Sequence, residues 1–191
     1  MTELAVAAET TSDDQAMAVL IVQEFQDAFK DSYLGRTAIQ KLCYFAKAVG
    51  IPLSYNYRIY YYGPYSEELV SDCDQLLSDR VLVDTSPDQY RYSNLRAGPN
   101  AATVLAEHPE LVRRYQPTVE SVVAAFGQLD PSKLELLSTL HFVDQRLKAG
   151  GASSPSRREV VQAFKSVKGG KFADADITNG YDALQRIGLL G

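Results

Sequence analysis

The sequence predicts a mainly α-helical protein with a small antiparallel β element, an α+β fold whose N-terminal half is winged-helix-like. Apolar residues recur at helical spacing over most of the chain, and apolar–polar alternation is confined to one tyrosine-rich stretch. With 191 residues, 46% apolar and 23% charged, the chain has the composition of a globular protein. A chain of this length can bury a core without disulfides or metal ions.

The N-terminal region is predicted to contain a tail and two helices. Residues 1–15 have no periodicity and are rich in threonine, alanine and acids, so we expect a disordered tail. Residues 16–191 are predicted to form a single domain. Helical spacing of apolar residues predicts helices over 17–30 and 37–49.

A strand is predicted over residues 54–62, where aromatic residues alternate with a period of two. Its predicted buried face consists of Tyr55, Tyr57, Ile59 and Tyr61. Its predicted exposed face consists of Asn56, Arg58, Tyr60 and Tyr62. Gly63 and Pro64 are then expected to turn the chain, because glycine tolerates unusual φ values and proline fixes its own.

The next elements are predicted to be a helix and a short hairpin. Ser66 can cap a helix over 66–79, whose first turn is acidic. A hairpin is expected over 81–92, with strands at 81–83 and 90–92 on either side of a turn-rich stretch.

The rest of the chain is predicted to be helical. Asp130 and Pro131 are expected to start one helix, and either Ser154 or Ser156 another. Residues 149–155 are rich in glycine and serine and mark a linker that could divide the domain. The predicted helices cover residues 101–107, 109–114, 117–129, 131–147, 157–168 and 174–187.

Sequence motifs of enzymes and metal sites are scarce, so we expect no catalytic residues, no cofactor and no metal ion. The chain has no glycine-rich phosphate loop, and His108 and His141 are isolated from each other. Cys43 and Cys73 lie on apolar helical stripes, which favours buried, reduced thiols. Because the sequence also has no long apolar run and no signal peptide pattern, we expect a cytoplasmic protein without a membrane partner.

Charge is distributed unevenly, and this bears on nucleic-acid binding. The net charge is −5, but residues 36–58 and 146–171 are locally basic. A winged helix reads DNA with the helix before its hairpin, which here is the acidic helix 66–79. Its carboxylates would repel phosphates, so a nucleic-acid partner is not expected. A DNA-binding regulator that uses the two basic segments remains the alternative hypothesis.

Two short motifs resemble the Panacea, or SocA-like, antitoxin domain family. The first is the stretch QKLCYFA over residues 40–46, and the second is YYGPYS over residues 61–66. The form YGPYSEEL is similar to the YwgA-like branch of that family. The resemblance extends over about residues 18–190.

The resemblance implies a function as a protein-binding module. Members of the family bind and neutralise a toxin that is usually encoded nearby, and some act as adaptors that present the toxin to a protease. We therefore expect an antitoxin that acts by direct protein–protein contact. Tyrosine and arginine are common at interface hot spots. The candidate partner-binding residues are Arg58, Tyr60, Tyr62, Gly63, Pro64 and Tyr65.

Overall fold

A computed structural model describes residues 11–87 and 93–191 of the protein. Over these residues the chain is mostly helical, with two antiparallel sheets of two strands each, which confirms the predicted fold class. The N-terminal half contains α1 (Asp13–Ala28), α2 (Arg36–Ala48), β1 (Arg58–Tyr60), β2 (Gly63–Tyr65), α3 (Glu67–Ser78), β3 (Leu82–Asp84) and β4 (Leu95–Ala97). The C-terminal half contains α4 (Ala101–Glu107), α5 (Pro109–Phe126), α6 (Pro131–Ala149), α7 (Arg157–Lys168) and α8 (Asp174–Arg186).

Helix α1 is the centre of the N-terminal half. Every residue from Ala16 to Val22 is buried, because α1 packs against α2, α3, α4, α5 and strand β4. A helix that is apolar on all sides is stable only when it is surrounded in this way. Ser12 and Gln15 form a capping box at its start, so residues 13–15 of the predicted tail are helical. Residues 1–10 lie outside the described part of the chain.

Helix α6 contacts elements of both halves of the molecule. It packs against α2 and β2 and also against α7 and α8. Asp130 caps it and Pro131 occupies its first turn, as predicted. Ser156 rather than Ser154 caps α7, which spans the predicted residues.

The tyrosine-rich stretch differs most from its predicted structure. Its strand β1 is only three residues long, and the chain turns at Tyr61 and Tyr62. Gly63 and Pro64, which were expected to form the turn, lie in strand β2 and pair with Tyr60 and Ile59. Alternation in the sequence could not reveal this early turn, because the aromatic pattern continues through it.

Two further boundaries differ from the prediction. The predicted helices 109–114 and 117–129 are one helix, α5, which contains Pro117. The helix continues through this proline because its apolar residues pack along α1 and α2. Strand β3 pairs with Leu95–Ala97, so residues 95–97 form the second strand of this hairpin. Residues 88–92 of the predicted hairpin, which include its predicted second strand, lie outside the described residues.

We predict that Leu42→Ala lowers the free energy of unfolding by about 2–5 kcal/mol, because it leaves a cavity in a packed core. Leu42 lies on α2 and is 1% exposed. The matched control is Val167→Ala on α7, where the side chain is 41% exposed. Denaturant unfolding measures both variants, and equal losses would contradict the described burial of α2.

Candidate functional site

The two sequence motifs are joined by hydrogen bonds from helix α2 to strand β2 and the residue after it. The Gln40 amide is buried and binds the backbone of Ser66 twice. Its Nε2 donates to the Ser66 carbonyl oxygen at 2.8 Å, and its Oε1 accepts from the Ser66 N–H at 3.0 Å. Lys41 Nζ donates to the Pro64 carbonyl oxygen at 2.6 Å. These bonds fix the position of residues 58–65, which we call the tyrosine hairpin.

A buried cluster of charges lies against the same hairpin. Glu135 of α6 is 2% exposed and accepts from Lys168 Nζ at 2.9 Å and from Lys171 Nζ at 2.7 Å. Lys168 Nζ also donates to the carbonyl oxygen of Tyr61 at 2.9 Å. The pKa of Lys41 is lowered to about 8, chiefly by burial and also by the positive charge of Lys168, with Glu135 opposing both effects. The hairpin therefore rests on groups from α2, α6 and α7.

Gly63 places the tyrosine hairpin close to helix α6. Its φ is +88°, a value that glycine adopts readily and other residues rarely do. A Cβ atom on Gly63 would lie 2.8 Å from Thr139 Oγ1 and 3.3 Å from Ser138 Oγ. Glycine is thus required here both for the backbone conformation and for the close approach to α6.

Three consecutive tyrosines project from the end of the hairpin. Tyr60, Tyr61 and Tyr62 are 55%, 77% and 60% exposed. The rings of Tyr60 and Tyr65 stack at 5.3 Å, and Lys171 Nζ lies 5.2 Å from the centre of the Tyr62 ring. These contacts hold the rings in a defined arrangement although solvent reaches them.

The structure brings the predicted partner-binding residues together but gives them different roles. Arg58, Tyr60 and Tyr62 are exposed, whereas Gly63 and Pro64 are buried and support the hairpin. Tyr65 is partly buried. Tyr61, which alternation assigned to the buried face, is the most exposed of the three tyrosines because it lies in the turn.

A cleft of about 220 Å³ adjoins the exposed tyrosines. It lies between the start of α2, the tyrosine hairpin and α3. Its walls combine aromatic rings with the cations Arg36 and Lys41, and no acidic side chain of the described residues lines it. The residues around it are Arg36, Thr37, Gln40, Lys41, Tyr60, Tyr62, Gly63, Tyr65 and Val70.

The acidic helix α3 uses several of its carboxylates for contacts within the protein. Asp74 pairs with Arg36 at 2.7 Å, and Glu67 pairs with Arg58 of the hairpin. Asp72 accepts a hydrogen bond from the Tyr55 hydroxyl at 2.9 Å. Helix α3 therefore helps to position its neighbours, and its acidic side chains are unsuited to contacts with phosphates.

Most lysines and arginines of the two basic segments also make contacts within the protein. In the first, Arg36 and Arg58 pair with α3, and Lys41 is buried. In the second, five lysines and arginines pair with acidic side chains, and only Arg146 and Arg158 have no ion pair within residues 11–87 and 93–191. The second segment's ion pairs are Lys148–Asp144, Arg157–Asp182, Lys165–Asp174, Lys168–Glu135 and Lys171–Glu135.

His141, which the sequence suggests to be an isolated structural histidine, contacts the first motif. Its Nδ1 lies 2.7 Å from the Tyr44 hydroxyl oxygen, and both side chains are buried. Burial lowers the pKa of His141 to about 4, although the nearby charge of Asp144 raises it in part. The two residues are far apart in the chain, so no local spacing could have indicated this pair.

The described residues contain no group of three or more His, Cys, Asp or Glu side chains arranged to hold a metal ion. Cys43 and Cys73 are free thiols, and burial raises the pKa of each. In the same part of the chain, no helix combines the length and apolarity needed to cross a membrane.

Comparison with known proteins gives one informative similarity. No family model matches the chain. The chain is 29% identical over 145 residues to a Bacillus subtilis (strain 168) protein named uncharacterized protein YwgA. The match covers 72% of this chain and 80% of that protein. The chain is thus similar to YwgA over most of both proteins.

We predict that Gly63→Ala destabilises the protein more than Gly50→Ala does. Both glycines have positive φ, so each substitution adds backbone strain of roughly 1–3 kcal/mol. Gly50 has open space around a new Cβ atom, whereas at Gly63 the Thr139 side chain would have to move. Thermal or denaturant unfolding gives the difference, and equal losses would mean that the hairpin does not approach α6 closely.

We predict that His141 makes stability fall as the pH drops from about 6.5 to 4. The unfolded chain binds a proton near its ordinary pKa of 6.5, whereas folded His141 binds one only near 4. The unfolded state therefore binds more protons in this interval, and the loss amounts to roughly 3 kcal/mol at its lower end.

Comparison of the protein with its His141→Gln variant isolates this effect from the carboxylates that titrate in the same range. The variant should show a shallower pH dependence of the unfolding free energy between pH 4 and 6.5, as expected from the lowered pKa of His141. Identical pH profiles for the two proteins would contradict the prediction.

Proposed function

We propose that this protein is a protein-binding module of the Panacea, or SocA-like, type, and that it neutralises a cognate toxin by direct contact. The observation that supports the proposal best is the group of three adjacent exposed tyrosines on a hairpin that is anchored from beneath. Tyrosine offers a large contact area with a polar hydroxyl, and a few such residues commonly dominate an interface.

The anchoring of the hairpin favours tight binding. An interface loop that is already ordered loses less conformational entropy when a partner binds. Here Lys41 and Lys168 hold the backbone carbonyls of Pro64 and Tyr61, and Gly63 packs on α6. The tyrosines of the free protein are therefore held in nearly the arrangement that they would have in a complex with the partner.

The cleft beside the tyrosines gives the partner a place for an anchoring side chain. Its volume of about 220 Å³ suits one large side chain, and hot spots typically insert into pockets of this kind. Because Arg36 is paired with Asp74 and Lys41 is bonded to the Pro64 carbonyl oxygen, the aromatic rings provide most of the contact surface that the cleft offers to a partner.

The resemblance to the antitoxin family is supported by the physical connection between its two motifs. Gln40 and Lys41 of the first motif bind the backbone of Pro64 and Ser66 in the second, so the motifs form one structural unit. The similarity to YwgA is consistent with the YwgA-like branch of the family, although the name of that protein states no activity.

The intramolecular ion pairs weigh against the alternative of a DNA-binding regulator. Arg36 and Arg58 pair with acids of α3, and Arg157 and Lys165 pair with Asp182 and Asp174. Phosphate contacts would have to compete with these pairs. A gel-shift salt series with duplex DNA tests the alternative, since tight binding with a steep salt dependence would support it.

The proposed function can be tested by co-expression with the product of the neighbouring reading frame. Expression of that product alone should arrest growth, and co-expression of this protein should relieve the arrest. Purified partners should bind each other. Loss of the partner from the cell in a protease-dependent manner would assign the adaptor role, whereas stable co-purification would assign direct neutralisation. Growth arrest that this protein does not relieve would contradict the proposal.

We predict that Tyr60→Ala, Tyr61→Ala and Tyr62→Ala each weaken partner binding by about 1–3 kcal/mol, the usual scale of interface hot spots. Their rings are largely exposed, so circular dichroism melts should change little. Arg58→Ala is expected to act in the same direction. Isothermal titration calorimetry measures the affinities.

The matched control for these variants is Tyr33→Ala. Tyr33 is 65% exposed and lies between α1 and α2, outside the tyrosine hairpin. Its removal should leave affinity unchanged. If all the hairpin variants remain folded and bind as well as the unmodified protein, the interface lies elsewhere.

A further inference from the structure

A second cleft, separate from the tyrosine hairpin, has features of a small-molecule site. It has a volume of about 560 Å³, within the range of typical ligand pockets. It lies between the C-terminal end of α2, the extended residues 55–57, the second half of α6 and the segment after α8. Residues from four separate parts of the chain therefore converge on it.

The walls of this cleft are rich in aromatic rings. Tyr44 is at their centre, with its ring 5.1 Å from that of Tyr57, 5.5 Å from that of His141 and 6.3 Å from that of Phe142. The first two contacts are edge-on. Such walls suit a flat ring, which gains contact area and favourable edge or stacking geometry.

The polar groups of the cleft are few and well placed. Tyr44 and His141 are hydrogen-bonded to each other at 2.7 Å, which holds both rings. The hydroxyl of Tyr57 is enclosed but has no hydrogen-bond partner within the described part of the chain. This hydroxyl is fully enclosed, so the cleft presents the ring of Tyr57 rather than its hydroxyl.

In the part of the chain that the structure describes, the cleft offers one cation, Lys47, to an anion. Lys47 and Lys148 line it, and no acidic side chain among its described lining residues faces them. Lys148 is neutralised by the buried Asp144 at 2.9 Å. Lys47 Nζ donates to the Tyr55 carbonyl oxygen at 2.7 Å and has no ion pair within the described residues. Its remaining N–H groups can therefore bind a carboxylate.

We infer that this cleft binds a small aromatic carboxylate, with the ring among Tyr44, Tyr57 and Phe142 and the carboxylate on Lys47. The inference does not depend on the proposed function, because none of these residues belongs to the tyrosine hairpin. If the protein neutralises a partner but binds no aromatic acid, this inference therefore fails while the proposed function stands.

Phenylacetate is a suitable probe, and its neutral counterpart phenylacetamide is the matched control. Two-dimensional NMR titration of the full chain should show saturable shifts for phenylacetate at Tyr44, Tyr57 and His141. Phenylacetamide should bind at least about tenfold more weakly, because it cannot form a charge-assisted bond to Lys47.

Variants test whether Lys47 carries the recognition. Lys47→Gln should weaken phenylacetate binding about tenfold and abolish the preference over the amide, and Lys47→Arg should retain that preference. Lys30→Gln removes an exposed charge after α1 and should leave binding unchanged. Tyr57→Phe keeps the ring and removes only the enclosed hydroxyl, so phenylacetate binding should stay unchanged while the thermal stability of the free protein stays the same or rises.

Three results would overturn the inference. These are the absence of saturable shifts at millimolar phenylacetate, equal affinity for the acid and the amide, and equal effects of Lys47→Gln and Lys30→Gln. Thermal melts of each variant verify that it is folded, and Lys47→Met, which also removes the charge, replaces Lys47→Gln if the latter is not.

Discussion

The hydrogen bonds from Gln40 and Lys41 to the backbone of Pro64 and Ser66 are the constraint on which the proposed interface depends. They attach the tyrosine hairpin to α2, a helix whose other buried residues belong to the core. They also fix Ser66, whose side chain caps α3. A single pair of polar side chains thereby sets the path of the chain from the first motif through the hairpin into the next helix.

This arrangement places several charges where water is largely excluded. Moving an ammonium or carboxylate group out of water is costly, and a buried pair often adds little net stability. Glu135 offsets that cost by accepting hydrogen bonds from both Lys168 and Lys171. Lys41 offsets it by donating to the carbonyl oxygen of Pro64. We therefore infer that the cluster positions the hairpin and adds little to stability. An apolar contact could not select particular carbonyl oxygens in this way.

The sequence predicted what depends on local chemistry and missed what depends on distant contacts. The caps Ser66 and Asp130 and the bounds of α7 follow from side chains that act within one helical turn, and they are confirmed. The turn at Tyr61 was missed because its cause is the fit of Gly63 against α6, more than seventy residues away. The pair Tyr44–His141 was missed for the same reason.

The bonds of Lys168 have a consequence for the architecture of the chain. The glycine-rich segment 149–155 resembles a boundary between two units, yet Lys168 and Lys171 beyond it neutralise Glu135 before it. Removal of the part after the segment would leave Glu135 without either lysine and the Tyr61 carbonyl without its donor. The segment is therefore a covalent link between two parts of the chain that depend on each other for stability. Folding of the last two helices and ordering of the hairpin are thermodynamically linked. A destabilising substitution in either region is therefore expected to destabilise the other.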